Sequence, residues 1–302
     1  MERTNASPMN PVPPATNVVA TRRRVAHGVS SHSMRTLVSL SYSPWSEKAR
    51  WALDHRAIEY RTEEYTPMLG EPGLRLRTGK LRGKISVPVL LGEGKAIFDS
   101  IEIARRADVV AGSPLLFPPG RDAEIARWND DSEAAMAAGR ALLLKVMARD
   151  EKSQLESLPR FIPAALRSAM RPVAAFGIRY VASKYTSAEA DERNEAKLLH
   201  TLESLRAALK ARREKSGARG WTLLESGFSY ADIVMAVVLQ GVRPVADEYI
   251  RLGPATRELW THPVLAAKFP DLLEWRDELY AKTRNKKKRS PAESQREAAR
   301  GE

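Results

Sequence analysis

The sequence predicts two architectures joined end to end: a small α/β domain over residues 35–112, in the order β-α-β-α-β-β-α with a mixed sheet, and an all-α bundle over 120–283. Three observations carry this. Strand-like runs alternate with helical stretches in the first part, which is the pattern of an α/β layer. After the breaks at Gly112-Ser113-Pro114 and Pro118-Pro119-Gly120 the spacing becomes helical throughout. One late stretch, 229–241, is apolar on every side, so it must be the buried centre of its domain. At 302 residues and 43% apolar, the chain can bury two modest cores.

The first strand is 36–41, and the helix 44–55 follows at once. Pro44 suits the first helical position because its missing N–H would have no partner there, and Ser43 before it is a favoured N-cap. A strand at 59–65, a weaker Gly-broken helical region at 67–82 and strands at 86–91 and 96–98 come next, the last two joined by a turn at Gly92-Glu93-Gly94. The helix 100–110 closes the domain. In the second part, 122–150 places Ile125, Trp128, Met136, Leu142, Leu143 and Met147 at helical spacing. The segment 158–182 is interrupted by Pro159, Pro163 and Pro172, and 188–215 is charged and amphipathic. The apolar helix opens on Ser229 as N-cap, with Asp232 at the third position to return a bond and Phe228 before the cap to pack on Ile233.

Composition excludes several chemistries. With no cysteine the chain has no disulfide, no thiolate metal site and no cysteine nucleophile. Its five histidines, His27, His32, His55, His200 and His262, lack ligand spacing, so no metal is expected. No run approaches the ~20 apolar residues of a membrane span, and a soluble, cytoplasmic protein is expected. The net charge of +12 sits largely at the ends: five arginines against one glutamate in 1–35, and eight basic against three acidic residues in 281–302. Rich in Pro, Ser and Asn or lacking apolar periodicity, 1–34 and 284–302 read as disordered tails that hold RNA or anionic lipid weakly at most. Met34 directly precedes the first strand, so the leader is a candidate over-extended start, with an organelle transit peptide as the alternative.

The chemistry concentrates at Ser41-Tyr42-Ser43-Pro44-Trp45. A thiolate lying against this turn meets an O–H donor, free backbone N–H groups and the positive end of a helix. Lowering a thiol pKa of ~8.5 by about two units requires roughly 2.7 kcal/mol of preference for the thiolate. A hydrogen bond to a charged group supplies about 1.5–3 kcal/mol and a partly buried helix N-terminus up to ~2 kcal/mol, so one seryl hydroxyl is sufficient and no general base is needed. An N-cap serine accepts through a lone pair and still has a proton to donate, so Ser43 can serve both ends.

Four motifs in this order resemble the cytosolic glutathione transferases, from about Thr36 to Tyr280. Ser41-Tyr42-Ser43-Pro44-Trp45 is similar to the active-site turn of the serine-type members, Ser86-Val87-Pro88-Val89-Leu90 to their cis-proline strand, Asp99-Ser100 with Ile101 and Ile103 to the acidic-Ser pair opening the third helix, and Phe228-Ser229-Tyr230-Ala231-Asp232-Ile233 to the capping motif of the helical domain. The resemblance implies a thioredoxin-like N-terminal domain followed by a helical bundle, glutathione as co-substrate, a hydrophobic electrophile, a detoxifying role and a homodimer. It implies a cis Val87-Pro88 bond that leaves the Val87 N–H and C=O free to pair with the peptide-like ligand. Ser100 with the helix start would hold the γ-glutamyl α-carboxylate, Asp99 the α-amino group and Lys84 the glycyl carboxylate.

Which hydroxyl meets the thiol stays open. Ser43 occupies the place of the plant tau-type serine and the omega-type cysteine, Ser41 that of the zeta-type serine, and Tyr42 falls where theta-type members keep theirs; Ser43 is favoured. Serine in place of cysteine disfavours a mixed-disulfide mechanism. The electrophile pocket is expected between the domains, against 122–150, with Phe161, Met170, Phe176 and Tyr180 either lining it or, in the favoured reading, packing in the core. A non-catalytic binding or regulatory protein of the same fold is the alternative function.

Overall fold

The structure, a computed structural model, describes residues 34–284 except 68, 93, 113–114, 159–161, 184–187 and 218–220. Four strands, β1 (Thr36–Ser39), β2 (Arg61–Glu64), β3 (Val89–Leu91) and β4 (Ile97–Phe98), form one sheet in the order β2-β1-β3-β4. β1 and β2 run parallel with Ser39 opposite Glu64, whereas β1–β3 and β3–β4 are antiparallel, with Val38 opposite Val89 and Val89 opposite Phe98. Helices α1 (Pro44–His55), α2 (Glu71–Thr78) and α3 (Ser100–Ala111) complete the expected β-α-β-α-β-β-α order. α1 and α3 pack together over Leu37, Leu53, Leu90 and Ile103 on one face of the sheet, while Leu74 of α2 joins Val38 and Val89 on the other.

The strands are shorter than their sequence runs. The expected strand 86–91 begins pairing only at Val89, because Pro88 before it brings no N–H to a ladder; the Val87–Pro88 peptide bond is cis. The turn at Gly92-Glu93-Gly94 includes Glu93, which lies outside the described residues.

The helical part comprises α4 (Asp122–Met147), α5 (Glu151–Glu156), α6 (Ala164–Ser183), α7 (Ala188–Ser216), α8 (Tyr230–Val238), α9 (Pro254–Leu259), α10 (Pro263–Lys268) and α11 (Pro270–Thr283). Every residue of α8 is buried, as its all-round apolar sequence requires, and a 3₁₀ turn at Leu239–Gly241 extends it. Asp232 accepts the Ser229 N–H at 2.9 Å and the Leu223 N–H at 2.7 Å, so the expected carboxylate half of the capping box is present and also ties down the preceding loop. Burial acts first on that carboxyl and raises it to about 6 against the pull of these donors.

Three expectations are corrected here. Met170 and Phe176, expected to pack in the core, are 36% and 68% exposed, whereas Ala175 of α6 is buried. Phe161 and the Tyr180 side chain lie outside the described residues. Pro172, expected to interrupt the helix, sits inside α6. The basic tail also does not start at residue 284. The Arg284 guanidinium is buried under α1, where it donates to Glu47 at 2.8 Å and to Asp54.

Candidate functional site

The sheet register decides where the chemistry gathers. β1 and β2 end, β3 begins and β4 ends at the same edge of the sheet, since β3 is antiparallel to both its neighbours and β2 parallel to β1. The Ser41–Ser43 turn, the Val87-Pro88 bend and the Asp99–Ser100 helix start therefore emerge together from that edge.

The turn is held from within. Arg50 of α1 donates to the carbonyls of Leu40 at 3.1 Å and Ser41 at 2.9 Å, and the Leu40 N–H donates to Ser46 Oγ at 3.1 Å. Glu64, brought alongside by the parallel pairing, accepts both the N–H and the hydroxyl of Ser41, at 3.0 and 3.1 Å. These contacts leave the three candidate hydroxyls in different states. Ser41 is committed to a carboxylate. Tyr42 is 41% exposed; partial burial of its phenol and then the Glu64 carboxylate raise its pKa, so it stays protonated. Ser43 is only 8% exposed, and its backbone N–H donates to Leu40 C=O at 3.1 Å. Its position at the N-cap is as expected, but its side chain caps nothing. The hydroxyl expected to cap the helix is thus left without that bond. The N–H groups of Trp45 and Ser46 have no acceptor among the described residues.

The other site residues are placed as follows. Val87 N–H and C=O make no hydrogen bond among the described residues, at the cis Val87–Pro88 bend. Asp99 sits at the N-cap of α3 with φ +74°, a left-handed conformation rare for a residue with a side chain, and it is exposed. Ser100 is 1% exposed, and the Tyr230 phenol donates to its Oγ at 3.2 Å. Lys84 is exposed on the segment leading into Val87. Among the described residues no His, Asp or Glu cluster suits a metal ion, and no helix is long and apolar enough to cross a membrane.

The family model of the glutathione S-transferase N-terminal domain matches residues 42–109, a span that holds Tyr42 and Ser43 of the turn, the cis-proline bend and the Asp99-Ser100 pair but not Ser41. That match covers residues 42–109 of the chain's 302. No curated protein matches it by sequence. Solved structures of glutathione transferase fold align along most of its length at low identity. A glutathione S-transferase of Methylobacterium radiotolerans, in complex with glutathione sulfonate, is 18% identical with a TM-score of 0.51, over 87% of this chain and 94% of that one. The β-etherase LigF of Sphingobium sp. strain SYK-6 is 16% identical with a TM-score of 0.53, over 88% and 99%. The nitrogen regulation fragment of the yeast prion protein Ure2p is 17% identical with a TM-score of 0.52, over 89% and 97%. These likenesses establish the transferase fold.

Sequence reading missed the residues that link the α/β part to the helical part at this edge. Glu133 of α4 accepts the Trp45 indole N–H at 2.6 Å and the Lys48 ammonium at 2.8 Å, and Lys48, fully buried, also donates to Ser132 Oγ at 2.7 Å. Burial pulls the Lys48 pKa down, and Glu133 opposes that. No local pattern marks Glu133, which lies among other charged residues on a long helix, 85 positions from Lys48.

Proposed function

We propose that this transferase-fold protein binds glutathione at the sheet edge and activates its thiol as the thiolate for attack on a small hydrophobic electrophile. The observation that supports it most is the Ser43 hydroxyl: nearly buried, at the N-terminus of α1, with no acceptor among the described residues, beside two unpaired backbone N–H groups. In this reading the thiol proton leaves to solvent, and Ser43 donates to the sulfur anion that remains. The sulfur lone pair then forms the C–S bond as the electrophile expels its leaving group with the bonding pair, or takes up a proton after addition. Val87 pairs its N–H and C=O with the cysteinyl backbone, Pro88 shapes that bend, Ser100 and the start of α3 hold the γ-glutamyl α-carboxylate, Asp99 takes the α-amino group, and Lys84 meets the glycyl carboxylate. Ser41, committed to Glu64, shapes the turn. The reading extends to a detoxifying homodimer in the cytoplasm.

A second reading, a non-catalytic regulatory protein that still holds glutathione, is favoured by the likeness in fold to the Ure2p fragment. Conjugation rates against pH for the wild type, Ser43→Ala and Ser41→Ala separate the two. Loss of the Ser43 donor should return the bound thiol pKa toward ~8.5 and lower the rate near pH 6.5 roughly 50-fold, whereas Ser41→Ala should cost less than about threefold. Full activity in Ser43→Ala would remove Ser43 from the mechanism. Glutathione binding without conjugation of any electrophile would favour the regulatory reading.

A further inference from the structure

Tyr230 opens α8, the buried central helix of the helical bundle, yet its hydroxyl reaches across to Ser100 at the start of α3, at 3.2 Å. Its side chain is completely buried. The ring is fixed by stacking on Phe117 with centroids 5.1 Å apart, and its backbone N–H donates to Leu116 C=O at 2.9 Å. Among the described residues the phenol makes no other hydrogen bond. Resting on the glutathione reading above, we propose that Tyr230 is a positioning residue for the γ-glutamyl subsite, directing the single proton of the Ser100 hydroxyl outward onto the ligand's α-carboxylate.

Hydrogen-bond inventory fixes the direction. A carboxylate only accepts, so Ser100 must donate its one proton to it. The contact between Ser100 and Tyr230 then has to run from the phenol to a Ser100 lone pair. Tyr230 suits that role because burial, with the Asp99, Glu133 and Glu102 carboxylates adding to it, pushes its pKa far up and keeps the proton in place. The resulting chain, phenol to seryl hydroxyl to carboxylate, polarises each link, so the Ser100 hydroxyl becomes a better donor than an isolated serine. It also makes the central helix of the bundle part of ligand recognition, although no ligand atom touches Tyr230.

Calorimetric dissociation constants of glutathione and of γ-aminobutyryl-cysteinylglycine, its analogue without the α-carboxylate, test this in four proteins: wild type, Tyr230→Phe, Ser100→Ala and the double variant. Tyr230→Phe keeps the ring and should raise the glutathione Kd about fivefold, the worth of one typical hydrogen bond, while leaving the analogue's Kd within about twofold. In the Ser100→Ala background the same change should have no further effect beyond about twofold. Equal weakening of both ligands by Tyr230→Phe would assign Tyr230 to packing alone and overturn the proposal, as would an unchanged glutathione Kd or a full fivefold effect without Ser100. Wild-type protein that binds neither compound would overturn the glutathione reading itself, and the proposal with it.

Discussion

Asp99 shows what a single residue contributes and costs. Its φ of +74° places a β-carbon where only glycine sits without strain, a penalty of about 1–3 kcal/mol. Strain of this kind is often retained at functional sites, and Asp99 stands at the sheet edge from which the Ser43 turn and the Val87 bend also emerge, consistent with its proposed hold on the ligand's amino group. Asp99→Gly should therefore raise the unfolding free energy by about 1 kcal/mol in denaturant titration while weakening glutathione several-fold. A variant that gained no stability would remove the strain argument, and one that kept full affinity would remove the role. The position of Asp99 at a helix start was legible from Asp99-Ser100 followed by an apolar period, but its backbone conformation was not, since it is imposed by the turn out of β4. Ser43 divides in the same way. The Pro44 signal located the cap, whereas the freedom of its hydroxyl depends on Ser46, Arg50 and Glu64 settling the rest of the turn, and no local pattern encodes that.

At the scale of the element, α1 is the helix on which the site depends, and it stands on buried charge. Glu47 is fully buried between Arg50 at 3.0 Å and Arg284 at 2.8 Å, and Asp54 accepts the Tyr60 phenol at 2.8 Å as well as Arg284. Burial alone would push the Glu47 carboxyl up, but the guanidiniums of Arg284 and Arg50 more than reverse it and hold the pKa below its ordinary 4.5. A chain ending at Arg284 should thus fold like the full-length protein. One ending at Thr283 should lose about 3–5 kcal/mol, because Glu47 is left buried with only half its compensation. The pH dependence has a definite sign. With the folded pKa depressed, the folded chain binds fewer protons than the unfolded one in this range, so the contribution of Glu47 is full above about pH 4.5 and disappears as the pH falls through the folded value. Urea midpoints of the two chains against pH should converge on acidification, and equal midpoints at pH 7 would contradict the account. Sequence reading could not find this anchor. Arg284 stands next to a run of lysines whose composition signals a tail, and its partners lie some 230 positions earlier.

For the whole molecule, the periodicity of the sequence was sufficient to give the two-part architecture, the element order of the first part and the buried central helix, because these follow from local patterns that the core only has to accept, whereas the short α5, α9 and α10 and the helix α11 were not read. The coupling between the parts was not visible in advance. Glu133 joining Trp45 and Lys48, and Tyr230 joining Ser100, are contacts over 85 to 130 positions made by residue types common on any helix surface. They tie α4 and α8 of the bundle to the turn and the α3 start, so the proposed binding edge is supported from both parts. That support suits the role proposed for Ser43, since a fixed donor in a partly dry site loses little by reorganising. The central claim is that glutathione binds there as the thiolate, and its most direct test is calorimetric titration of glutathione near pH 6.5 in two buffers of different ionisation enthalpy. The account predicts saturable binding with release of about half a proton or more per site, reduced to near zero in Ser43→Ala. Binding with no proton release in the wild type would contradict it.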